Sequence, residues 1–282
     1  MTIAAQLVPQ DHRRDFAGLT YVYPVVSRRA GGVSVGINLN PNNACNWHCA
    51  YCQVPGLVRG EAPPIDLAKL EAELTGFLTD LAEGRFMERH VPENWRTVRD
   101  IAFSGNGEPT SSRQFALAVS LVGRIRDAAG LQGTPVRVIT NGSLVGRAYV
   151  QEGLRRLAQL GGEVWFKVDA GRPEDIRRIN GVALAPAALA RNLARCAELC
   201  PTWVQTCLFR WDGAPPDEAA MAAYLEVLTM AGIDKLKGVL LYGVARPSMQ
   251  PEAPHVSPLS QQALEAYGAL IKEKGLTVTV SP

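Results

Sequence analysis

The sequence has no run of about 18 consecutive apolar residues, which excludes a membrane-spanning helix of ordinary length. It also lacks a charge bias. Its 29 Lys and Arg face 27 Asp and Glu, a formal net charge of +2, so no strong overall field draws the chain to nucleic acid or an anionic membrane. Residues 1–15 lack the basic-then-apolar layout of a secretory signal, and a cytoplasmic location is expected. Cysteine is sparse: Cys45, Cys49, Cys52, Cys196, Cys200 and Cys207, with none after 207. In a reducing compartment such residues are thiols or metal ligands rather than disulfides. What remains, 47% hydrophobic and 20% charged residues over 282 positions, is the composition of a globular protein with an ample core.

From about residue 34 onward, short runs rich in β-branched residues alternate with longer segments of helical period. Strands are expected at 34–39, 98–103, 136–140, 164–168, 203–209, 236–242 and 276–280. Helices are expected at 65–84, 113–129, 148–160, 186–199, 217–230 and 260–274; the first carries Leu67, Leu70, Leu74 and Leu78 at helical spacing. This alternation is that of β/α units around a parallel sheet, and right-handed crossovers curl such a sheet. The expected fold is therefore α/β: a partial (β/α)6 TIM-like barrel over 34–282. A short N-terminal extension, 1–33, precedes it; no shape is assigned to it, and it holds Arg13, Arg14, Arg28 and Arg29. Folds of this kind bind ligands at the carboxyl ends of their strands, where the chemically distinctive segments of this sequence fall.

After the first expected strand comes Cys45-Asn-Trp-His-Cys49-Ala-Tyr-Cys52, a C-x3-C-x2-C spacing. Closely spaced thiolates suit a cubane iron–sulfur cluster, and three of them leave one iron without a protein ligand. A zinc site of Cys45, Cys49, Cys52 and His48 is the alternative. With the aromatic Tyr51 before its last cysteine, the loop resembles the signature of the radical S-adenosylmethionine (SAM) superfamily. That resemblance implies a [4Fe–4S] cluster on Cys45, Cys49 and Cys52 as the catalytic centre, with SAM chelated to the open iron through its amino and carboxylate groups. It further implies electron delivery by a donor such as flavodoxin or ferredoxin, cleavage of the C5′–S bond to a 5′-deoxyadenosyl radical, and Tyr51 near the adenine.

The later strand ends extend the resemblance. The second strand leads into Phe103-Ser-Gly-Asn-Gly-Glu108-Pro-Thr110, which resembles the motif that receives the methionine amino group, with Gly105, Asn106, Gly107 and Glu108 at the matching positions. Read alone, it is also an ordinary β-to-α turn. Thr140-Asn141-Gly142-Ser143 is either a plain Asn-Gly turn or, by resemblance, a SAM contact through Asn141. On the fourth strand, alternation puts Trp165, Lys167 and Asp169 on one face, toward the barrel. Lys167 and Asp169 resemble contacts to the SAM ribose or carboxylate, a structural ion pair being the alternative. Gln205 joins the cofactor-binding set, and Cys207, on the same face, is expected close to the substrate if Gln205 points inward. Arg246 and Pro247, followed by Leu259, resemble an Ala-Arg-Pro stretch of one subgroup, adding Arg246. Residues 21–29 and 54–59 are candidates for closing the barrel. Cys196 and Cys200 share a helical stripe with Leu189 and Leu193 and are expected in the core, not on an auxiliary cluster.

As a series these motifs are similar to a subgroup of iron–sulfur oxidoreductases that includes the wybutosine-synthesis enzyme, which condenses pyruvate with a methylated guanine in transfer RNA. That enzyme uses a second cluster and a catalytic lysine; the second cluster has no counterpart here, so its reaction is not carried over. The expected activity is hydrogen abstraction from a small-molecule or modified-nucleotide substrate, with no membrane partner. RNA or protein substrates find no support in the net charge. The alternatives are a glycyl-radical activating enzyme acting on a partner protein, and a non-catalytic iron–sulfur or zinc protein.

Overall fold

In a computed structural model, residues 6–8, 16–27 and 31–281 are described. Arg13, Arg14, Arg28 and Arg29 lie outside them. The described residues build one large sheet of eight strands: β1 (Val22–Ser27), β2 (Gly32–Asn38), β3 (Val98–Ser104), β4 (Val136–Thr140), β5 (Glu163–Lys167), β6 (Thr202–Leu208), β7 (Gly238–Gly243) and β8 (Val278–Ser281). They stand side by side in chain order. From β2 onward every pairing is parallel. The sheet is curled, and the architecture is the expected α/β partial barrel. It has one strand more than expected, because β1 pairs antiparallel with β2, from Val22 opposite Ile37 to Ser27 opposite Gly32.

Eight helices pack around the sheet among the described residues: α1 (Leu67–Ala82), α2 (Arg85–His90), α3 (Phe115–Ala128), α4 (Ala148–Gln159), α5 (Pro173–Asn180), α6 (Pro186–Leu199), α7 (Glu218–Ala231) and α8 (Gln261–Lys272). Their starts follow local chemistry. Asp66, Asp217 and Ser260 each accept a hydrogen bond from a backbone N–H of the first turn, and Pro173 and Pro186 occupy first-turn positions where a missing N–H costs nothing. Helix α5, for which no helix was expected, buries only Asp175, Ile176 and Asn180, too little apolar repetition to announce itself. Helix α3 starts two residues later than expected.

The two faces of the sheet carry different residues. Val33, Val35, Ile37, Ile101, Phe103, Val138, Val164, Phe166, Val204 and Val239 point to the helix layer and form the core with residues such as Leu70, Leu74, Phe115, Leu154 and Leu193. The alternate positions Ser34, Asp100, Ala102, Ile139, Trp165, Lys167 and Gln205 face the hollow of the barrel. Its floor is closed by charge. The Arg137 guanidinium bonds Asp100 and, at 2.7 Å, the Glu163 carboxylate. Glu163 also accepts from the indoles of Trp165 and Trp203 at 3.2 and 3.0 Å. Burial alone would raise the Glu163 carboxyl, but Arg137 and the two indoles outweigh it and hold it below its ordinary value.

Phe103 is fully buried, and its ring meets that of Phe115 edge-on at 5.9 Å. Replacing it with alanine is expected to cost about 3–5 kcal/mol. In urea unfolding this appears as a lower midpoint with an unchanged slope.

Candidate active site

The segment after β2 turns over the carboxyl ends of the strands with little structure of its own. Its only ladder among the described residues is a two-residue one, Ala44–Cys45 against Val58–Arg59. Cys45, Cys49 and Cys52 are half-buried and line one cavity of about 820 Å³. Tyr51, Gly105, Asn106, Gly107, Glu108, Asn141, Lys167, Gln205 and Arg246 line the same cavity. So do Tyr23, Val25 and Ser27 of β1, and Val54, Pro55 and Leu57 beside the cysteines. Asp169 does not.

Asparagines tie the cysteine loop to its neighbours. The Asn38 side-chain oxygen accepts from the backbone N–H groups of Asn40 and Asn106 at 3.1 and 3.2 Å. Asn40 donates to the Ala44 carbonyl at 2.9 Å, and Asn106 donates to Asn43 at 2.6 Å. Asn46, between the first two cysteines, accepts from Asn141 at 2.8 Å and donates to Ser143 at 2.7 Å. Two glycines make the fit possible. Gly105 has a φ of 121°, and a Cβ there would stand 2.6 Å from the Asn38 side-chain oxygen. A Cβ on Gly107 would collide with the carbonyl oxygen of Ala44, next to Cys45. The glycine loop is thus pressed against the cysteine loop.

On the other side the loop is clasped from far along the chain. Ser248 Oγ donates to the Ala50 carbonyl at 2.7 Å. Gln250 Nε2 donates to the Val54 and Cys52 carbonyls at 2.8 and 3.2 Å. The Met249 N–H also bonds the Cys52 carbonyl, at 2.9 Å.

The two acidic candidates spend their oxygens inside the protein. Glu108 accepts from the Thr110 hydroxyl and N–H, the Thr140 hydroxyl at 2.6 Å and the Asn141 N–H at 2.7 Å. Burial raises its carboxyl in spite of these bonds. Asp169 accepts from Tyr51 Oη at 2.6 Å, Asn180 Nδ2 at 2.7 Å and the Cys207 N–H at 2.9 Å. Lys167 Nζ lies 2.5 Å from Tyr51 Oη, 3.5 Å from Tyr242 Oη and 3.8 Å from Asp169. Burial works against its charge, but the Asp169 carboxylate and the surrounding Tyr and Cys groups outweigh it and raise the pKa. The Lys167–Asp169 ion pair is therefore present, with only its lysine facing the cavity.

The donor set fits an iron–sulfur cluster that brings its own positive charge. Without metal, burial pushes the Cys45 and Cys49 thiols up to about 12, so thiolates there need cationic partners. Among the described residues, no three His, Cys, Asp or Glu side chains are placed to share one ion; a cubane spreads its thiolates over separate irons. The cavity also holds polar atoms awaiting a partner: Asn106 Oδ1 and Gln205 Nε2 are buried and make no hydrogen bond.

Other expectations fare differently. Cys207 does not line the large cavity; it lines a smaller one of about 190 Å³ with Asp169, Arg172 and Tyr224, and its N–H donates to Asp169. Cys196 and Cys200 are buried in the core, where their thiols lie near the Thr202 hydroxyl and the Gly162 carbonyl. Sequence reasoning passed over Asn46, Asn180, Tyr242, Ser248 and Gln250. The density of asparagine over 38–46 was the one available signal for the first.

The family model of the Radical SAM superfamily matches residues 39–218. The chain belongs to that superfamily. Its members use a [4Fe–4S] cluster and SAM. Among curated relatives, the chain is 31% identical over 157 residues to the GTPase Obg of Brachyspira hyodysenteriae, covering 56% of this chain and 20% of that protein. It is 30% identical over 163 residues to the UPF0026 protein MJ1312 of Methanocaldococcus jannaschii, covering 56% of this chain and 42% of that protein. The chain thus matches less than half the length of either. Its fold is similar to that of SuiB of Streptococcus suis bound to S-adenosylmethionine, at 11% identity and a TM-score of 0.57 over 87% of this chain and 49% of that one. It is also similar to a structure of TYW1 with a lysine-pyruvate adduct bound, at 16% identity and a TM-score of 0.54 over 86% and 74%. No helix among the described residues is long and apolar enough to cross a membrane.

Gly107→Ala is expected to drive the two loops apart and to lower iron and sulfide uptake severalfold on anaerobic reconstitution. Gly76→Ala is the control: Gly76 lies in α1 with nothing within 4 Å of a Cβ. It is expected to keep full uptake and gain roughly 0.5–1 kcal/mol of stability.

Proposed function

We propose that this chain is a radical SAM enzyme whose Cys45, Cys49 and Cys52 thiolates hold a [4Fe–4S] cluster and whose substrate is a small molecule or a modified nucleotide. The observation that carries this reading is the convergence of the cysteine loop, the loops after β3, β4 and β7, and the end of β5 on one cavity of about 820 Å³, large enough for a cofactor beside a small substrate. When bound and reduced by one electron, from a donor such as flavodoxin or ferredoxin, the cluster and SAM supply a 5′-deoxyadenosyl radical that takes a hydrogen atom from the substrate.

The chain's own residues do the holding. In this reading the backbone of Gly105, Asn106 and Gly107 receives the methionine amino group, Asn141 and Lys167 face the ribose or carboxylate, and Tyr51, Arg246 and the end of β7 border the adenine. Glu108 and Asp169 take a positioning role, because their oxygens already serve Thr110, Thr140, Asn141, Tyr51, Asn180 and Cys207. Gln205, with its unmet Nε2 donor, offers a hydrogen bond to whatever polar group enters the hollow.

The test is to reconstitute the protein with iron and sulfide without oxygen, add dithionite and SAM, and measure 5′-deoxyadenosine. Product from the native chain and none from a Cys45, Cys49 and Cys52 triple-alanine variant is the expected result. A protein that binds neither cluster nor SAM would leave a zinc protein in its place. Gln205→Leu separates fold from function. It removes a buried donor that satisfies nothing, so stability in urea is expected to hold or rise by about 1 kcal/mol, while 5′-deoxyadenosine formation falls about tenfold or more.

A further inference from the structure

Helix α5 ends against the cysteine loop. The Asn180 carbonyl accepts from the His48 N–H at 3.0 Å, and the Ile179 carbonyl accepts from the Ala50 N–H at 2.7 Å. Gly181 caps the helix with a φ of 67°, and a Cβ there would stand 2.6 Å from the His48 carbonyl oxygen. This seam fixes the backbone around Cys49 relative to Asn180.

From that seam the Asn180 side chain, on a residue only 2% exposed, serves two acceptors with one nitrogen. Its Nδ2 lies 2.7 Å from Asp169 Oδ2 and 3.5 Å from Cys49 Sγ. A primary amide nitrogen carries two hydrogens, one for each acceptor. The amide's orientation is dictated: the Asp169 carboxylate, an acceptor only, needs the NH2 group on its side. Asp169 in turn is held by Tyr51 Oη and the Cys207 N–H.

We infer that Asn180 is a positioning residue whose N–H···S bond to Cys49 raises the reduction potential of the cluster. The inference rests on the proposal that Cys45, Cys49 and Cys52 hold that cluster. The one-electron couple makes the cluster one unit more negative on reduction, and the added charge falls partly on its sulfurs. A hydrogen-bond donor at a ligating sulfur therefore favours the reduced state. Asn180 thus sits where the chain sets how readily the cluster accepts its electron.

The test uses the full chain, reconstituted anaerobically, without SAM. The midpoint potential is read from the EPR signal of the reduced cluster in the native protein and in Asn180→Leu, which keeps side-chain size but has no donor. A lower midpoint in the variant at equal iron and sulfide content is the expected result. Equal midpoints would overturn the inference and leave the cluster in place. A native protein that takes up no cluster would overturn both. Should Asn180→Leu fail to hold a cluster, the native protein labelled with 15N in its asparagine side-chain amides decides through pulsed EPR. An asparagine amide nitrogen coupled to the reduced cluster supports the bond, and its absence overturns it.

Discussion

Buried backbone N–H and C=O groups must find partners, and a loop that wraps a cluster has no ladder of its own to supply them. The cysteine loop meets this constraint by borrowing from other parts of the chain: the asparagines at the end of β2, the loops after β3 and β4, the end of α5, and residues 248–250. Several of the lenders are side-chain amides. An amide offers donors and an acceptor in one plane, so a single asparagine answers a carbonyl and an N–H in turn, as Asn42 and Asn43 do. Glycine is the counterpart of this solution. Only a residue without a Cβ lets the loop after β3 approach the Ala44 carbonyl.

The same economy governs charge. Five of the ionisable groups in or beside the site are met within the protein before any ligand arrives. Glu108 is ringed by hydroxyls and N–H groups, Lys167 and Asp169 neutralise one another across Tyr51, and Arg137 and Glu163 close the floor. Buried pairs of this kind contribute little net stability. Here they leave the cavity walls fixed and nearly neutral, so a cofactor's charge meets prearranged dipoles rather than loose counter-ions.

The fold was legible where burial is simple. Strands whose alternate residues enter the core read as short runs rich in β-branched residues, and the expected segments near 98, 136, 164 and 236 fall on β3, β4, β5 and β7. Helix α5 was not legible, because its eight residues carry one narrow apolar stripe and mostly arginine and acid elsewhere. Strand β1 was hidden by the lack of a regular pattern ahead of residue 34. At the site, the sequence indicated which loops meet and, by alternation, that Lys167 and Gln205 face inward. It could not tell a side chain that lines the cavity from one that braces it. Asp169 was expected inward by strand parity, but it lies two residues past β5, and its carboxylate is taken up by Tyr51, Asn180 and the Cys207 N–H. Nothing local marked Asn180, Ser248 or Gln250, because their partners in the cysteine loop lie more than a hundred positions away.

That distance sets an order of events in time. The carbonyls of Ala50, Cys52 and Val54 are claimed by Ser248 and Gln250, nearly 200 residues downstream. At about 5–20 residues per second, a ribosome delivers the clasp roughly 10–40 s after the cysteines have been made. During that interval the three thiols belong to an unfinished fold, reactive toward oxidants and stray metal. The backbone bonds that shape the cysteine loop are therefore complete only once almost the whole barrel has been synthesised.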